Sequence, residues 1–324
     1  MRFTYNRRQF LTHSSVVTMG ALIPFKPSLK RLKRIQLGVI SYSFRSMPHD
    51  VDKLLAFCVE CNANAIEMMG DPAETYAGKP ANPVPFGPPP AGGQRPPLTD
   101  EQKAQLAEYT KQVAAWRASV SMDKFKEIGA KFKNAGINIY AFKPNAFGAN
   151  NTDAEIDYGM NAAAALGATC VTVELPTDPA QSKRLGDFGS KHKIYVGYHA
   201  HLQATDTLWD VALSQSPYNS MNLDCGHYIA AGGKNTKESL LALIENKHDR
   251  ITSLHIKDRT NPAHGAGNVE WGKGDTPITE ILQLMKAKKY PFPATVELEY
   301  DIPAGSDAVQ EVKKCIAYAN KALS

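Results

Sequence analysis

Short apolar runs recur along the chain, and each is followed by a stretch in which apolar positions return every three or four residues. The first pattern is that of a buried strand, the second that of an amphipathic helix. Strands are predicted at residues 35–41, 65–69, 137–142, 170–174, 194–198, 220–224, 251–255 and 294–299. Helices are predicted at 51–62, as one long or two shorter pieces over 99–136, and at 154–166, 179–192, 207–214, 236–245, 277–288 and 307–323. Thr99 with Gln102 three residues on makes a capping-box start, and Gly167 closes the Ala-rich helix before it. Regular alternation of eight strands with helices predicts a single-domain α/β fold, a (β/α)8 barrel, over a doubly wound sheet.

One segment breaks the rhythm. Residues 70–100 hold nine prolines and five glycines, including Pro88-Pro89-Pro90 and Gly92-Gly93. Such a composition excludes a helix or a central strand there. It predicts an insertion after the second strand, on the catalytic face of a barrel, as an ordered lid or a solvated spacer.

Five of the predicted strands end in residues that bind metals or move protons. They are VTVELP around Glu174, VGYHAH around His199 and His201, NLDCGH around Asp224 and His227, LHIKDR around His255, and TVELEY around Glu297 and Glu299. All fall at the same end of the repeating unit, the end where a parallel barrel keeps its chemistry. A single buried Asp or His reads as a hydrogen-bonded structural partner. Several carboxylates and imidazoles converging on one axis repel each other unless a cation neutralises them. An oxygen-rich set with one imidazole suits Mn²⁺, Mg²⁺ or Co²⁺ better than a closed structural zinc site.

Charge narrows the partners. The chain of 324 residues carries +5, but residues 1–34 hold eight Lys or Arg and no acid, so removing those eight leaves −3 for the rest. That balance gives no footprint for a phosphate backbone, and nucleic acid is excluded as a partner. The leader, Asn6-Arg7-Arg8-Gln9-Phe10-Leu11 followed by SSVVTMGALIPF, resembles a twin-arginine export signal and predicts a periplasmic protein. Its apolar stretch is too short to span a bilayer stably. The expected division is therefore 1–34 as export signal and basic linker, and 35–324 as barrel. The five cysteines include one CxxC, at Cys58 and Cys61 in a helical stretch, and read as small buried residues.

Taken together, NLDCGH, LHIKDR, GAGNVEWGKGDTP and TVELEY resemble the xylose isomerase-like TIM-barrel superfamily of sugar-phosphate isomerases and epimerases and AP-endonuclease-like enzymes. YHAH, LDCGHYIAAG, HIKDR and VELEYD are similar to its inosose dehydratase-like branch. The resemblance implies one divalent ion, Mn²⁺ first and Mg²⁺, Co²⁺ or Zn²⁺ as alternatives, held by Asp224, His255 and Glu297. Glu299 shares the strand face of Glu297 and replaces it if the register slips by two. Many relatives carry a Glu at the end of the fifth strand, where this chain has His199. Glu174, one strand away, is assigned as fourth ligand or base, with His199 or His201 as competitor. His227, His201, Lys257, Arg259 and Glu299 are expected to bind substrate.

The implied substrate is a small-molecule sugar or keto-sugar. The expected activity is isomerisation or epimerisation by α-proton abstraction through a metal-stabilised enediolate, with catalytic roles for Glu174, His199 and Glu297. The alternative is a lyase or dehydratase that eliminates from a 3-keto-glycoside or inosose at the same site. A nuclease of the superfamily needs a multi-metal cluster and a basic groove, which the −3 balance and the leader oppose.

Overall fold

Parallel pairing carries the chain once around a closed barrel. Its first strands are β1 (Leu37–Ile40), β2 (Ala65–Met69), β3 (Asn138–Lys143), β4 (Cys170–Glu174), β5 (Tyr195–His199), β6 (Asn219–Asp224) and β7 (Ile251–Ile256). A short antiparallel ribbon of β8 (Asp258–Arg259) and β9 (Asn268–Val269) stands outside the barrel, and β10 (Ala294–Val296) then pairs with both β7 and β1. The fold is thus the predicted (β/α)8 barrel in one domain. The computed structural model describes residues 35–48, 50–84 and 96–324. The export-type leader falls outside the described residues, as do 85–95 of the insertion. Among the described residues no helix is long and apolar enough to cross a membrane.

Alternation along the strands explains the division between core and site. Leu223, Leu254, Ile256, Val296 and Leu298 join the hydrophobic cluster beneath the outer helices. The residues between them, Asn222 and Asp224, Ser253, His255 and Lys257, Thr295, Glu297 and Glu299, point to the other side of the sheet, along the barrel interior. One face of each strand therefore supplies packing and the other supplies chemistry.

The helices are α1 (Val51–Glu60), α2 (Gly70–Tyr76), α3 (Asp100–Ser119), α4 (Asp123–Asn134), α5 (Asp153–Leu166), α6 (Pro179–His192), α7 (Asp210–Gln215), α8 (Cys225–Ala231), α9 (Lys237–Lys247), α10 (Ile278–Lys288) and α11 (Ala308–Leu323). The predicted capping box at Thr99 is present in both directions, and Gly167 ends α5 with φ +84°. The 99–136 region resolves into two helices, broken where Val120 turns extended.

Three expectations need correction. The insertion was expected to exclude helix, yet α2 opens it. Pro72 falls in the first turn of α2, where a missing N–H costs no intrahelical bond. Gly70 is required at its start, because a Cβ there would lie 2.7 Å from the backbone of Pro144. The last barrel strand stops at Val296 rather than 299. Beyond it the backbone bonds to the β1 loop, with Leu298 N–H donating to Ser43 Oγ and Arg45 Nη1 to Leu298 O at 2.7 Å. Finally, α8 follows β6 without a loop and was not predicted, because CGHYIAA is short and carries no polar face. Asp224 caps it, its Oδ1 accepting from His227 N–H at 2.7 Å.

Candidate metal centre and active site

His199 and Asp224 end β5 and β6, His255 is the penultimate residue of β7 and Glu297 directly follows β10, and these four strands are consecutive around the barrel. Register places Asp224 beside His255, and Thr295, two residues before Glu297, beside His255 on the other side. One nitrogen or oxygen atom from each lies within 4.8 Å of those of the other three, and all four residues are buried. In two of these residues a buried atom, His199 Nδ1 and Asp224 Oδ2, makes no hydrogen bond. Buried polar atoms are rarely left this way without a functional reason.

Lys257 projects into the same cluster. Its Nζ lies 2.7 Å from Glu297 Oε2, 2.6 Å from Glu299 Oε2 and 3.0 Å from Asp224 Oδ2. The last contact is an ion pair, and Asp224 Oδ2 makes no hydrogen bond. Beneath the cluster, Glu67 of β2 joins the network. His255 Nε2 donates to Glu67 Oε2 at 2.7 Å, while His255 Nδ1 faces Glu297 Oε2 at 2.9 Å.

The charges sort themselves by burial and neighbours. Burial would lower His255, but the carboxylates of Glu297 and Glu67 outweigh it and raise the ring to about 10. Burial raises Asp224 to about 6, although the Lys257 ammonium pulls the other way. Burial would also raise Glu297, and there His255 and Lys257 win, holding it well below the usual carboxylate range. His199 is driven well below the usual imidazole range by burial and then by the His255 charge, so it is neutral. His227 falls to about 2 through burial and the adjacent Lys257 and Arg259. That neutral ring faces Lys257 Nζ at 3.1 Å and Arg259 Nη1 at 2.6 Å. A neutral imidazole has one accepting nitrogen, so one of these contacts sets donor against donor.

The sequence-predicted residues fall into three groups. Asp224, His255 and Glu297 meet as expected, and His199 completes their set. Glu174 stands outside it, which corrects its assignment as a ligand. Register pairs it with His199, but its side chain leaves toward solvent, where Lys143 donates to it at 3.1 Å and His201 Nδ1 lies 3.4 Å away. His201, His227, Lys257, Arg259 and Glu299 surround the mouth, with His199, His201 and His227 forming a second cluster of imidazoles. Arg259 is buried with its Nε unpartnered.

Two residues were missed. Glu67 is one carboxylate in the apolar run AIEMM, with no neighbouring His or Gly to flag it, and Lys143 ends β3 in the same way. Lys143 also borders a cavity of about 310 Å³ enclosed by α2, α3 and the start of α5.

The residues present fit a divalent cation. Two carboxylates and two imidazoles are a sound donor set, and two of their atoms make no hydrogen bond. An ion held by Asp224 and Glu297 would compete with Lys257 for the same two oxygens. The donor set differs from expectation in having two imidazoles, which makes Mg²⁺ a poorer fit than Mn²⁺, Co²⁺ or Zn²⁺.

The family model for the xylose isomerase-like TIM barrel matches residues 55–318. No curated protein matches the chain in sequence. Among solved structures, a sugar phosphate isomerase/epimerase from Parabacteroides distasonis is 17% identical, with TM-score 0.58 over 89% of this chain and 94% of that one. The 3-keto-D-glucoside 4-epimerase of E. coli is 12% identical, with TM-score 0.57 over 89% and 100%. A probable 3-DHS dehydratase from Bacillus anthracis is 13% identical, with TM-score 0.59 over 88% and 99%. At these identities the likeness shows the shared barrel. The match over most of the chain, together with the closed eight-stranded barrel, makes this protein a member of the xylose isomerase-like TIM-barrel family.

Proposed function

We propose that the protein is a divalent-metal-dependent sugar isomerase or epimerase acting on a sugar or keto-sugar. The observation that carries this reading is the buried set of His199, Asp224, His255 and Glu297, in which His199 Nδ1 and Asp224 Oδ2 make no hydrogen bond. His199, Asp224, His255 and Glu297 would hold the ion, which would supply positive charge to stabilise the substrate oxygens as the α-proton leaves. Glu174, placed outside the ligand set but beside the mouth, is assigned the proton abstraction, with His201 against its carboxylate. Lys257, Arg259 and Glu299 orient the substrate oxygens. Neutral His227 accepts from one cation and presents its ring to the substrate. Mn²⁺ is the first choice of ion.

Elimination from a 3-keto-glycoside or inosose is the second reading, favoured by the cluster of His199, His201 and His227. Elimination needs a group to protonate the departing oxygen as well as a base, and His201, 3.4 Å from Glu174, is placed beside that base to do so. Incubating metal-loaded protein with ketoses and 3-keto-glycosides in D₂O separates the two. Carbon-bound deuterium in a product of unchanged formula supports isomerisation, and release of aglycone or water supports elimination. Turnover of none of them would sink both.

Export through the twin-arginine-type leader is part of the same proposal, since an exported enzyme meets glycosides more readily than phosphorylated sugars. Arg7→Lys with Arg8→Lys in the native host should abolish periplasmic recovery, and unchanged recovery would remove the assignment.

A further inference from the structure

Glu67 is a carboxylate with no exposure at all, lodged inside the barrel below the mouth. Burying a carboxylate costs several kcal/mol unless its partners compensate. Here they are numerous. Thr172 Oγ1 donates to its Oε1 at 2.6 Å, Tyr140 OH donates to Oε2 at 2.9 Å, and His255 Nε2 donates to Oε2 at 2.7 Å. Asn222 Nδ2, turned inward by the Ser253 hydroxyl on its Oδ1, lies 3.5 Å from the same oxygen and 3.2 Å from His255 Nε2, and the shorter contact of Nε2 with the acceptor-only carboxylate, at 2.7 Å, puts the hydrogen on Nε2. Three further strands thus hold one carboxylate still against a single imidazole. Substrate cannot reach it, and it is not among the four residues whose donor atoms converge. Its available role is to act through His255.

We propose that Glu67 is a positioning residue: it holds His255 with Nε2 protonated, so that Nδ1, the nitrogen facing Glu297, is the one offered to a divalent ion. This rests on the metal-site reading above. A ligating histidine needs one nitrogen free of hydrogen, and a carboxylate bonded to the other nitrogen fixes which one, sets the ring angle and makes the donor more basic. Thr172 and Tyr140 in turn fix Glu67. The arrangement runs from β4 and β3 through β2 to β7, joining the half of the barrel that carries no ligand to the half that carries all four.

The test is calorimetric titration of metal-free full-length protein with Mn²⁺, alongside Glu67→Gln and Thr172→Val. The ¹⁵N spectra of the imidazoles are recorded with diamagnetic Zn²⁺. Glu67→Gln should weaken ion binding by about 10–100-fold, and the His255 ring should lose its single Nε2–H pattern. Thr172→Val leaves Glu67 in place and should weaken binding only a few-fold. If Glu67→Gln does not fold, Thr172→Val decides alone, and binding equal to the parent overturns the proposal. A folded Glu67→Gln that binds as tightly as the parent, with His255 still protonated at Nε2, also overturns it. If the parent itself binds no ion, the metal-site reading fails instead.

Discussion

Two clusters of buried charge lie at the catalytic end of this barrel, and they are built to opposite rules. In the first, the Arg117 guanidinium donates to Glu74 at 2.9 Å and 3.2 Å, to Glu155 at 3.1 Å and to the Asn145 carbonyl at 2.9 Å. Lys79 and Tyr158 complete Glu74 at 3.1 Å and 3.2 Å. Among the described residues it leaves no buried polar atom without a partner. The second cluster, around Asp224 and His255, leaves two of its four central residues with orphaned atoms and presses two cations on one neutral imidazole. The first ties α3 to α2 and α5. The second is incomplete by itself, and that incompleteness marks it as the place where something binds.

The sharpest way to break the comparison is Asp224→Asn, which keeps the acceptor that caps α8 but removes the charge. We expect kcat/KM to fall by about 10³-fold, about 4 kcal/mol, with ion binding lost and the melting temperature of the metal-free protein little changed. Arg117→Met should do the reverse. Stranding two buried carboxylates should destabilise the fold by about 3–5 kcal/mol, read by urea unfolding, while the activity of the remaining folded molecules persists.

A smaller effect is expected at Glu155. Burial would raise this carboxyl, but the Thr152 N–H, Asn151 and Arg117 hold it below its ordinary value of 4.5. Its contribution to stability is therefore present above that pH and lost as pH falls through the lowered folded value. Glu155→Gln should cost about 1–3 kcal/mol at pH 7, and the gap to the parent should close in acid. The gentlest probe is the pH dependence of ion binding. Asp224 near 6 and His255 near 10 must both lose protons to act as ligands. Affinity should climb with pH by up to about tenfold per unit through neutrality, checked by titration in buffers of different ionisation enthalpy. A flat profile would contradict the assignment of His255 as a ligand.

Much of this site was legible in the sequence, because strand periodicity aligns Asp224, His255 and Glu297 at one end of the repeat. The choice between Glu174 and His199 was not. They are partners in register, and what separates them is the exit of the Glu174 side chain toward Lys143, a contact that strand patterning does not encode. Glu67 was invisible for a related reason: its partners come from β3, β4, β6 and β7, so its meaning exists only once the barrel closes. The α2 helix was hidden by Pro72, whose cost depends on its place in the first turn rather than on its presence. The fold is written in local periodicity, whereas the supporting shell of the site is written in contacts between distant strands.

The central claim is that the four strand-end residues hold one divalent ion. The most direct measurement is calorimetric titration of metal-free full-length protein with Mn²⁺ at neutral pH, compared with Asp224→Asn. The account predicts one ion per chain for the parent and no binding for the folded variant. Absence of binding in the parent, or equal binding in both, would contradict it.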